Sequence, residues 1–193
     1  SENEIKAGIS SFKASGIRQN LTNVGGYNLF IDCYNIAPIS LVGAVEVLEK
    51  LNVEEGGRRV AVISDINRLG EFSTKINTEV GQELGKHNLD LVLCFGNHDS
   101  EYMSEGIKAG GIETYYTSDR EQLNQWMKEK ITKKDIVLLK GSVARLLSKS
   151  IDQVYGTSLH IISEHFEYVR KDDFKAKVIW EKESKDSKLT ALM

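Results

Sequence analysis

Residues 58–96, "RRVAVISDINRLGEFSTKINTEVGQELGKHNLDLVLCFG", decide the fold of this chain. The stretch opens and closes on apolar runs, residues 58–64 and 89–96, that have the length and composition of buried strands. Between them, residues 72–87 carry apolar side chains at the spacing of one helix face. Two strands joined through a helix by short connections predict a right-handed crossover between parallel strands.

The same alternation extends in both directions from this unit. Toward the N terminus, residues 40–51 predict a helix with Ser40 as its N-cap, and residues 17–34 predict a β-hairpin that turns at Gly25 and Gly26. Toward the C terminus, the sequence predicts helices at 100–110, 119–131 and 142–156 that alternate with strands at 112–118 and 135–141.

The strands are nearly continuous apolar runs, which is typical of a parallel sheet covered by helices on both faces. We therefore predict an α/β fold, a doubly wound, Rossmann-like and mostly parallel sheet with an N-terminal edge hairpin and a short C-terminal extension. Asp119 is expected to open the helix at 119–131. Residues 1–157 form the main predicted domain, and residues 158–193 are a β-hairpin, the start of a further module or a mobile tail.

Composition and charge narrow the functional classes. The chain has 193 residues, of which 40% are hydrophobic and 27% are charged, as in ordinary globular domains. A formal net charge of −3 gives no long-range attraction to nucleic acid or to an anionic membrane, and no apolar run approaches a membrane span. Cys33 and Cys94 each end a strand-like run, a position more typical of reduced core cysteines than of a disulfide, so we expect a cytoplasmic protein.

The stretch "GNHD" at residues 96–99 is similar to a metal-ligand motif of calcineurin-like phosphoesterases. A two-metal site needs further ligands from other strand ends. Here the first strand ends in "DCYN" without a histidine, and the second is followed by Arg68, an unfavourable neighbour for a cation. We therefore interpret the stretch as a turn into the next helix, capped by Asp99 or Ser100, and predict no metal site.

Other motifs with freestanding chemistry are missing from the sequence. It contains no G-x-x-x-x-G-K-S/T phosphate loop, no G-x-G-x-x-G after a strand, no G-x-S-x-G elbow and no clustered Cys/His site. What remains is a polar rim at the carboxyl ends of the predicted strands, spelled "DCYN", "SDINRLG", "GNHD" and "KGS". In a doubly wound sheet, ligands bind at that edge.

Taken in order, the rim motifs resemble the C-terminal domain of the Mur ligase family. The resemblance covers roughly residues 2–156 and rests on "GIRQNL", "GGYNLFIDCYNIAPISLVGAVEVL", "RRVAVISDINRLGEFSTKINTEVG", "LDLVLCFGN" and "DIVLLKGSVARLL". It implies that residues 1–15 are the end of a separate central domain, which in that family carries the phosphate loop.

The resemblance also implies an activity. Mur ligases form an amide bond with ATP in peptidoglycan-precursor synthesis, through an acyl phosphate that an incoming amine attacks. The expected partners are the central ATPase domain of the same polypeptide, a nucleotide-linked wall precursor and an amino acid or dipeptide, with Mg bound mainly by the central domain. The isolated domain then has no catalytic residue of its own and is expected to be inactive. The alternative is a non-catalytic binding or assembly domain of a cell-wall or capsule synthesis protein.

Four residues match ATP-binding positions of the family. Arg18 corresponds to a hinge arginine that reaches the ATP phosphates, and Asp32 to an aspartate that hydrogen-bonds the ribose. Tyr34 and Asn35 match the Tyr-Asn pair that follows, where packing within the loop is as good an interpretation as contact with ATP. We expect the Asp32 side chain to be exposed on the rim.

Further matches concern the other loops of the rim. Asp65 is expected to order the loop after the second strand of the sheet. Lys140, Gly141 and Ser142 match a substrate-binding Lys-Gly-Ser loop near the incoming amine, although Ser142 also suits simple N-capping of the next helix. The sequence departs from the family pattern at Ala37, Ile39, Ser64, Arg68, Asn77 and Val143. These departures leave the amine and the retention of activity open.

Overall fold

The computed structural model describes residues 1–11 and 16–159 of the chain. Its helices are α1 Glu2–Ser11, α2 Pro38–Lys50, α3 Ser73–Leu84, α4 His98–Ala109, α5 Arg120–Lys130 and α6 Leu147–Tyr155. Its strands are β1 Asn20–Val24, β2 Tyr27–Asp32, β3 Arg59–Ser64, β4 Leu91–Phe95, β5 Glu113–Thr117 and β6 Ile136–Lys140, and short 3-10 helices lie at Gly70–Phe72 and Val143–Arg145. Residues 160–193, which contain most of the predicted C-terminal extension, lie outside the described ranges.

The strands form one six-stranded sheet in the order β1-β2-β6-β3-β4-β5. All neighbouring strands are parallel except β1 and β2, which form the predicted antiparallel hairpin at one edge. Gly25 and Gly26 form its turn with φ angles of 59° and 93°, values that only glycine adopts easily. The doubly wound α/β architecture predicted from the sequence is therefore confirmed.

Two apolar layers cover the sheet. Helices α2, α3 and α4 pack on one face, where Leu138 of β6 points, and α5 and α6 pack on the other face, where its neighbours Val137 and Leu139 point. These three side chains are fully buried. Because successive residues of a strand face opposite layers, both sets must be apolar, and the strands read as continuous apolar runs. In the part of the chain that the structure describes, no helix has the length and apolar character needed to cross a membrane.

The topology creates a crevice between β6 and β3. These neighbouring strands are followed by helices on opposite faces of the sheet, α6 and α3, so their carboxyl ends are left without a covering helix between them. Such a switch point is where ligands bind in open α/β sheets. The polar loops predicted from the sequence lie at these carboxyl ends of the strands.

Helices α3 and α4 approach each other through glycines. A Cβ atom added at Gly81 would lie 2.2 Å from the carbonyl oxygen of Met103, and one added at Gly110 would lie 2.1 Å from the carbonyl oxygen of Gly85. Both distances are shorter than any van der Waals contact, so the two backbones can pack this closely only without side chains at these positions.

The helix caps differ in part from their predictions. Asp119 accepts a hydrogen bond from the Glu121 backbone N–H at 2.9 Å and caps α5 as predicted. Ser40 was wrongly predicted as the N-cap of α2. The helix begins earlier because Pro38 has the φ angle of a first helical residue, and Ala37 is the N-cap, with Ser40 Oγ accepting from its backbone N–H at 3.0 Å.

The helix predicted at 142–156 is divided into two pieces. The 3-10 helix ends at Arg145, the following Leu146 has a left-handed φ of 48°, and α6 begins at Leu147. The guanidinium of Arg120 donates to the carbonyl oxygens of Arg145 and Leu146, each at 2.8 Å. Arg120 thus provides donors for the carbonyl groups at the interruption. The Leu146 carbonyl oxygen also accepts from the Lys149 backbone N–H, at 3.0 Å.

Candidate functional site

The centre of the rim is a buried ion pair. Asp32 and Lys140 are opposite each other at the carboxyl ends of β2 and β6, and Lys140 Nζ lies 2.7 Å from Asp32 Oδ2. The two side chains are 3% (Lys140) and 13% (Asp32) exposed. Lys140 Nζ also donates to the Asn35 carbonyl oxygen at 2.7 Å. The ammonium group is therefore enclosed by acceptors of the protein itself, as a buried charge requires.

The expected location of Asp32 is confirmed, but its expected exposure is wrong. The carboxylate turns inward because burial beside Lys140 is compensated by the ion pair. Among the described residues, the one donor to its second oxygen, Oδ1, is the Gln19 backbone N–H, at a long 3.4 Å. Asp32 also lines a groove of about 460 Å³, whose other lining residues are Gln19, Leu21, Phe30, Ser40, Gly43, Ala44, Val47 and Leu51. One carboxylate oxygen thus retains accepting capacity beside an open groove.

Arg18 lies over the ring of Tyr34. Its guanidinium carbon is 3.3 Å from the ring centroid, the geometry of a cation–π contact. Arg18 is exposed, whereas Tyr34 is half-buried, and the Tyr34 carbonyl oxygen accepts from the Val143 backbone N–H at 3.1 Å. The hinge arginine and the loop after β2, predicted separately, are therefore in direct contact.

The crevice between β6 and β3 holds a second ion pair. Asp65 is 1% exposed, and Arg145 donates to its two carboxylate oxygens through Nε and Nη2, each at 2.5 Å. These hydrogen bonds raise the pKa of Arg145 above its ordinary value, so the guanidinium stays charged. Asp65 pairs with Arg145, a partner that the sequence analysis missed, and the ordering of this loop by Asp65 stays a prediction. A buried aspartate is usually paired with a cation. Which cation this is becomes clear only once β6 is known to pair with β3, because that pairing brings Arg145 beside Asp65.

The Lys-Gly-Ser loop packs closely on β3. A Cβ atom at Gly141 would lie 3.0 Å from Ser64 Oγ, and the Ser142 backbone N–H donates to the same oxygen at 3.3 Å. Ser142 precedes the 3-10 helix but makes no side-chain cap with it. Instead, its hydroxyl oxygen accepts from Asn67 Nδ2 at 2.9 Å, which fixes the Ser142 side chain across the crevice.

The "GNHD" stretch leads into α4 as predicted, but the helix begins at His98, two residues before its predicted start. The cap is Asn97, which accepts from the Asp99 backbone N–H at 3.0 Å, and neither Asp99 nor Ser100 has this role. Asp99 accepts instead from Ser73 Oγ at 2.8 Å, and the exposed His98 ring lies 2.7 Å from Glu101. Within residues 1–11 and 16–159, no group of three or more His, Cys, Asp or Glu side chains is placed to hold a metal ion.

The departures from the family pattern have identifiable positions. Asn77 is fully buried, and its side chain accepts from the Ile66 backbone N–H at 3.3 Å and donates to the Ser73 carbonyl oxygen at 2.9 Å. It therefore ties the loop after β3 to α3. Arg68 is exposed with a left-handed φ of 66°, and Ile39 is 86% exposed at the start of α2.

The part of the chain that contains these site residues is similar to known proteins. The family "Mur ligase, glutamate ligase domain" matches residues 18–143. The UDP-N-acetylmuramoyl-tripeptide–D-alanyl-D-alanine ligase of Bacillus subtilis is 26% identical over 155 residues, which is 79% of this chain and 33% of the relative. The enzyme of that name from Haemophilus influenzae is 34% identical over 121 residues, 59% of this chain and 24% of the relative. The chain thus spans a third or less of the length of these relatives.

Solved structures show the same fold. A crystal structure of MurF from Acinetobacter baumannii matches with a TM-score of 0.69 at 20% identity, over 81% of this chain and 34% of that one. The MurF ligase of Thermotoga maritima, in complex with ADP, matches with a TM-score of 0.61 at 24% identity, over 76% of this chain and 32% of that one.

Proposed function

This chain belongs to the Mur ligase glutamate ligase domain family, and from that premise we propose that it is the C-terminal domain of an ATP-dependent, amide-forming ligase. Its proposed task is to close over ATP held by a central domain of the same polypeptide and to bind the incoming amino acid or dipeptide in peptidoglycan-precursor synthesis. One observation carries the proposal. Arg18, Asp32 and Ser142 lie together at the carboxyl edge of the sheet, where an open α/β sheet binds its ligands.

The proposed reaction joins a carboxylate of the wall precursor to an amine. ATP transfers its terminal phosphoryl group to the carboxylate, and the amine then displaces phosphate from the acyl phosphate. Closure of this domain excludes water from the reactive acyl phosphate and brings the amine to it. In this scheme no residue of this chain forms a covalent bond to the substrate. Because the phosphate loop that holds ATP belongs to the central domain, the domain alone should be inactive.

Two residues are proposed to contact ATP. The guanidinium of Arg18 is accessible, permanently charged and suited to bind phosphate oxygens with several N–H groups. Asp32 Oδ1 can accept a hydrogen bond from a ribose hydroxyl beside the groove while Oδ2 stays with Lys140. Tyr34 and Asn35 contribute by fixing the loop after β2, Tyr34 through its contact with Arg18 and Asn35 through the hydrogen bond from Lys140.

The amine is proposed to approach the crevice between β6 and β3. Gly141 and Ser142 form one wall, and Asn67 forms the opposite wall through its hydrogen bond to Ser142. Lys140 lies beneath this loop with its ammonium already paired, so we assign it the support of the loop and not a contact with the substrate. The relatives named above join D-alanyl-D-alanine, and a dipeptide of this kind is the first candidate amine.

Magnesium is proposed to bind mainly to the central domain. The two buried rim carboxylates, Asp32 and Asp65, are each paired with a cation, Lys140 and Arg145, and this makes them unsuitable ligands for a further cation. The proposed location is the cytoplasm. The two cysteines of the chain are both buried and unpaired, as is common for proteins of a reducing compartment.

The test is an assay of phosphate release by the polypeptide that carries this domain. Release should require ATP, a UDP-linked wall precursor and an amine, with D-alanyl-D-alanine tried first. Asp32→Ala should raise the KM for ATP about ten- to hundredfold, since a hydrogen bond to a charged acceptor contributes about 1.5–3 kcal/mol. Glu55→Ala, which removes an exposed carboxylate near the opposite end of the sheet, is the control and should leave that KM unchanged.

A different result would favour the non-catalytic alternative. If the polypeptide binds the wall precursor but releases no phosphate with any amine, the ligase assignment fails. An unchanged KM for ATP in Asp32→Ala, together with a lowered melting temperature, would leave Asp32 with a structural role alone.

A further inference from the structure

The contact between Arg18 and Tyr34 differs from the contacts of the other paired arginines at the ends of the sheet. Arg58 and Arg145 are each held by a buried carboxylate, Asp135 and Asp65. In the described ranges 1–11 and 16–159, no carboxylate forms an ion pair with Arg18, and its guanidinium lies on the face of the Tyr34 ring. Stacking occupies the face of a guanidinium and leaves the N–H groups at its edge available.

Arg18 is anchored by the residues on both sides of it. The Ile17 carbonyl oxygen accepts from the Cys33 backbone N–H at 2.8 Å, and the Gln19 backbone N–H donates to Asp32 Oδ1 at 3.4 Å. Gln19 has a φ of 41°, a left-handed conformation that costs free energy in any residue except glycine. The surrounding hydrogen bonds therefore hold the backbone at Gln19, directly after Arg18, in a conformation that it would not adopt alone.

Tyr34 is anchored from the other side of the rim. Its carbonyl oxygen accepts from the Val143 backbone N–H at 3.1 Å, and the next carbonyl oxygen, of Asn35, accepts from Lys140 Nζ at 2.7 Å. The ion pair Asp32–Lys140 is thus hydrogen-bonded to the neighbours of both stacked residues. Asp32 accepts from Gln19, next to Arg18, and Lys140 donates to Asn35, next to Tyr34. Hydrogen bonds of the backbone on both sides thus bring Arg18 and Tyr34 together.

We propose that Tyr34 is a positioning residue whose ring holds the Arg18 guanidinium in place to bind a phosphate group of a nucleoside triphosphate. This inference rests on the proposed function and adds to it the residue that prepares the phosphate contact. A flexible arginine side chain loses conformational entropy when it binds a ligand. A guanidinium that is stacked on a ring has already lost most of that entropy. The ring face, and not the phenol hydroxyl, supplies this effect.

The variants Tyr34→Leu, Tyr34→Phe, Arg18→Ala and the double variant Arg18→Ala/Tyr34→Leu test the proposal in the full polypeptide. Tyr34→Leu should raise the KM for ATP about fivefold, the size of an exposed cation–π contact, with little change in kcat or in the KM for the amine. Tyr34→Phe keeps the ring face and should behave like the wild type. The double variant should be no worse than Arg18→Ala, because Tyr34 acts only through Arg18.

Three results would overturn the positioning role. One is an equal loss in Tyr34→Phe and Tyr34→Leu, which would assign the effect to the hydroxyl. Another is a double variant in which the two single effects multiply. The third is a rise in the KM for the amine in Tyr34→Leu equal to that for ATP, which would indicate a general disturbance of the rim.

Calorimetric binding of inorganic tripolyphosphate separates this inference from the proposed function. If the polypeptide does not ligate any amine, but tripolyphosphate binding weakens in Tyr34→Leu and Arg18→Ala and survives in Tyr34→Phe, the proposed function fails and the positioning role stands. If ligation proceeds and Tyr34→Leu has the ATP KM and tripolyphosphate affinity of the wild type, the positioning role fails and the proposed function stands.

Discussion

Lys140 reaches Asp32 across neighbouring strands, from a position 108 residues away in the chain, and the two charged atoms lie 2.7 Å apart in a largely buried site. Removal of one charge leaves the other buried without a partner, which is more costly than removal of both. Lys140→Met should lower the free energy of unfolding by about 3–5 kcal/mol. The double variant Asp32→Asn/Lys140→Met should recover a substantial part of that loss.

Urea unfolding measures both changes. Lys75→Met is the matched control, because Lys75 forms an exposed ion pair with Glu79 at 3.9 Å, and exposed pairs contribute about 1 kcal/mol or less. A loss in Lys140→Met as small as that in Lys75→Met would show that the buried pair does not stabilise the rim.

Replacement of glycine by alanine should have opposite effects on stability at Gly81, where α3 meets α4, and at Gly43 in α2. Gly81→Ala places a methyl group 2.2 Å from a backbone oxygen of the neighbouring helix, so the helices must separate, and the loss should be about 2 kcal/mol or more. Gly43→Ala in α2 meets no atom within 4 Å and should stabilise the chain by about 0.5–1 kcal/mol through helix propensity.

Thermal unfolding of the two variants provides the comparison. A stabilised Gly81→Ala chain would mean that α3 and α4 are farther apart than the structure places them. A destabilised Gly43→Ala chain would mean that α2 is covered at that position.

Glu49 predicts a dependence of stability on pH. Its carboxylate accepts from the Asn88 backbone N–H at 2.7 Å, and this hydrogen bond is the main reason that its pKa lies below the ordinary value of 4.5. A carboxyl group with a lowered pKa in the folded state stabilises the fold above 4.5, and this contribution is lost as the pH falls through the lowered pKa. Glu49→Gln should therefore reduce the loss of stability on acidification below that value.

Melting temperatures between pH 3 and pH 7 check this prediction. Glu46→Gln, on the exposed side of the same helix, is the control and should follow the wild type. Parallel curves for Glu49→Gln and the wild type would contradict the role of the hydrogen bond from Asn88.

The two cysteines should be unreactive in the folded chain. Cys33 and Cys94 are 1% and 0% exposed. Burial raises the pKa of both thiols, that of Cys94 to about 12. At pH 8 this shift alone reduces the thiolate of Cys94 about a thousandfold relative to an ordinary thiol.

Labelling with the thiol reagent DTNB at pH 8 should thus be slow in buffer and rapid for both thiols in denaturant. Rapid labelling of one thiol in buffer would contradict its burial.

The sequence predicted the elements well where a buried layer determines the residue pattern. Strand β6 is the clearest example, because Leu138 faces one helical layer while Val137 and Leu139 face the other, and an apolar run is the direct result. The cap of α2 was less predictable. Ser40 is a favourable N-cap by type, but Pro38 starts the helix before it.

The sequence predicted which loops carry the site residues, but it did not predict which side chains pair with each other. The sequence places Asp65 and Asp32 at strand ends, but the partner of each is set by the insertion of β6 between β2 and β3. Arg145 was missed for this reason, and the inward turn of Asp32 was missed because Lys140 could not be placed beside it. The roles of Arg18, Asp32 and Ser142 toward ATP and amine, and the boundary at residue 157, stay predictions.

The position of β6 has a consequence for the order in which the protein is made. β6 lies between β2 and β3 in the sheet but is the last strand in the described sequence. In a ribosome-bound chain that ends before residue 136, no strand can join the β1-β2 hairpin to the β3-β4-β5 unit, and we expect each to have an unpaired apolar edge. Such edges favour aggregation and recruit chaperones. We therefore expect the newly made chain to be most vulnerable just before β6 emerges, and the rim to form only in the final step of folding.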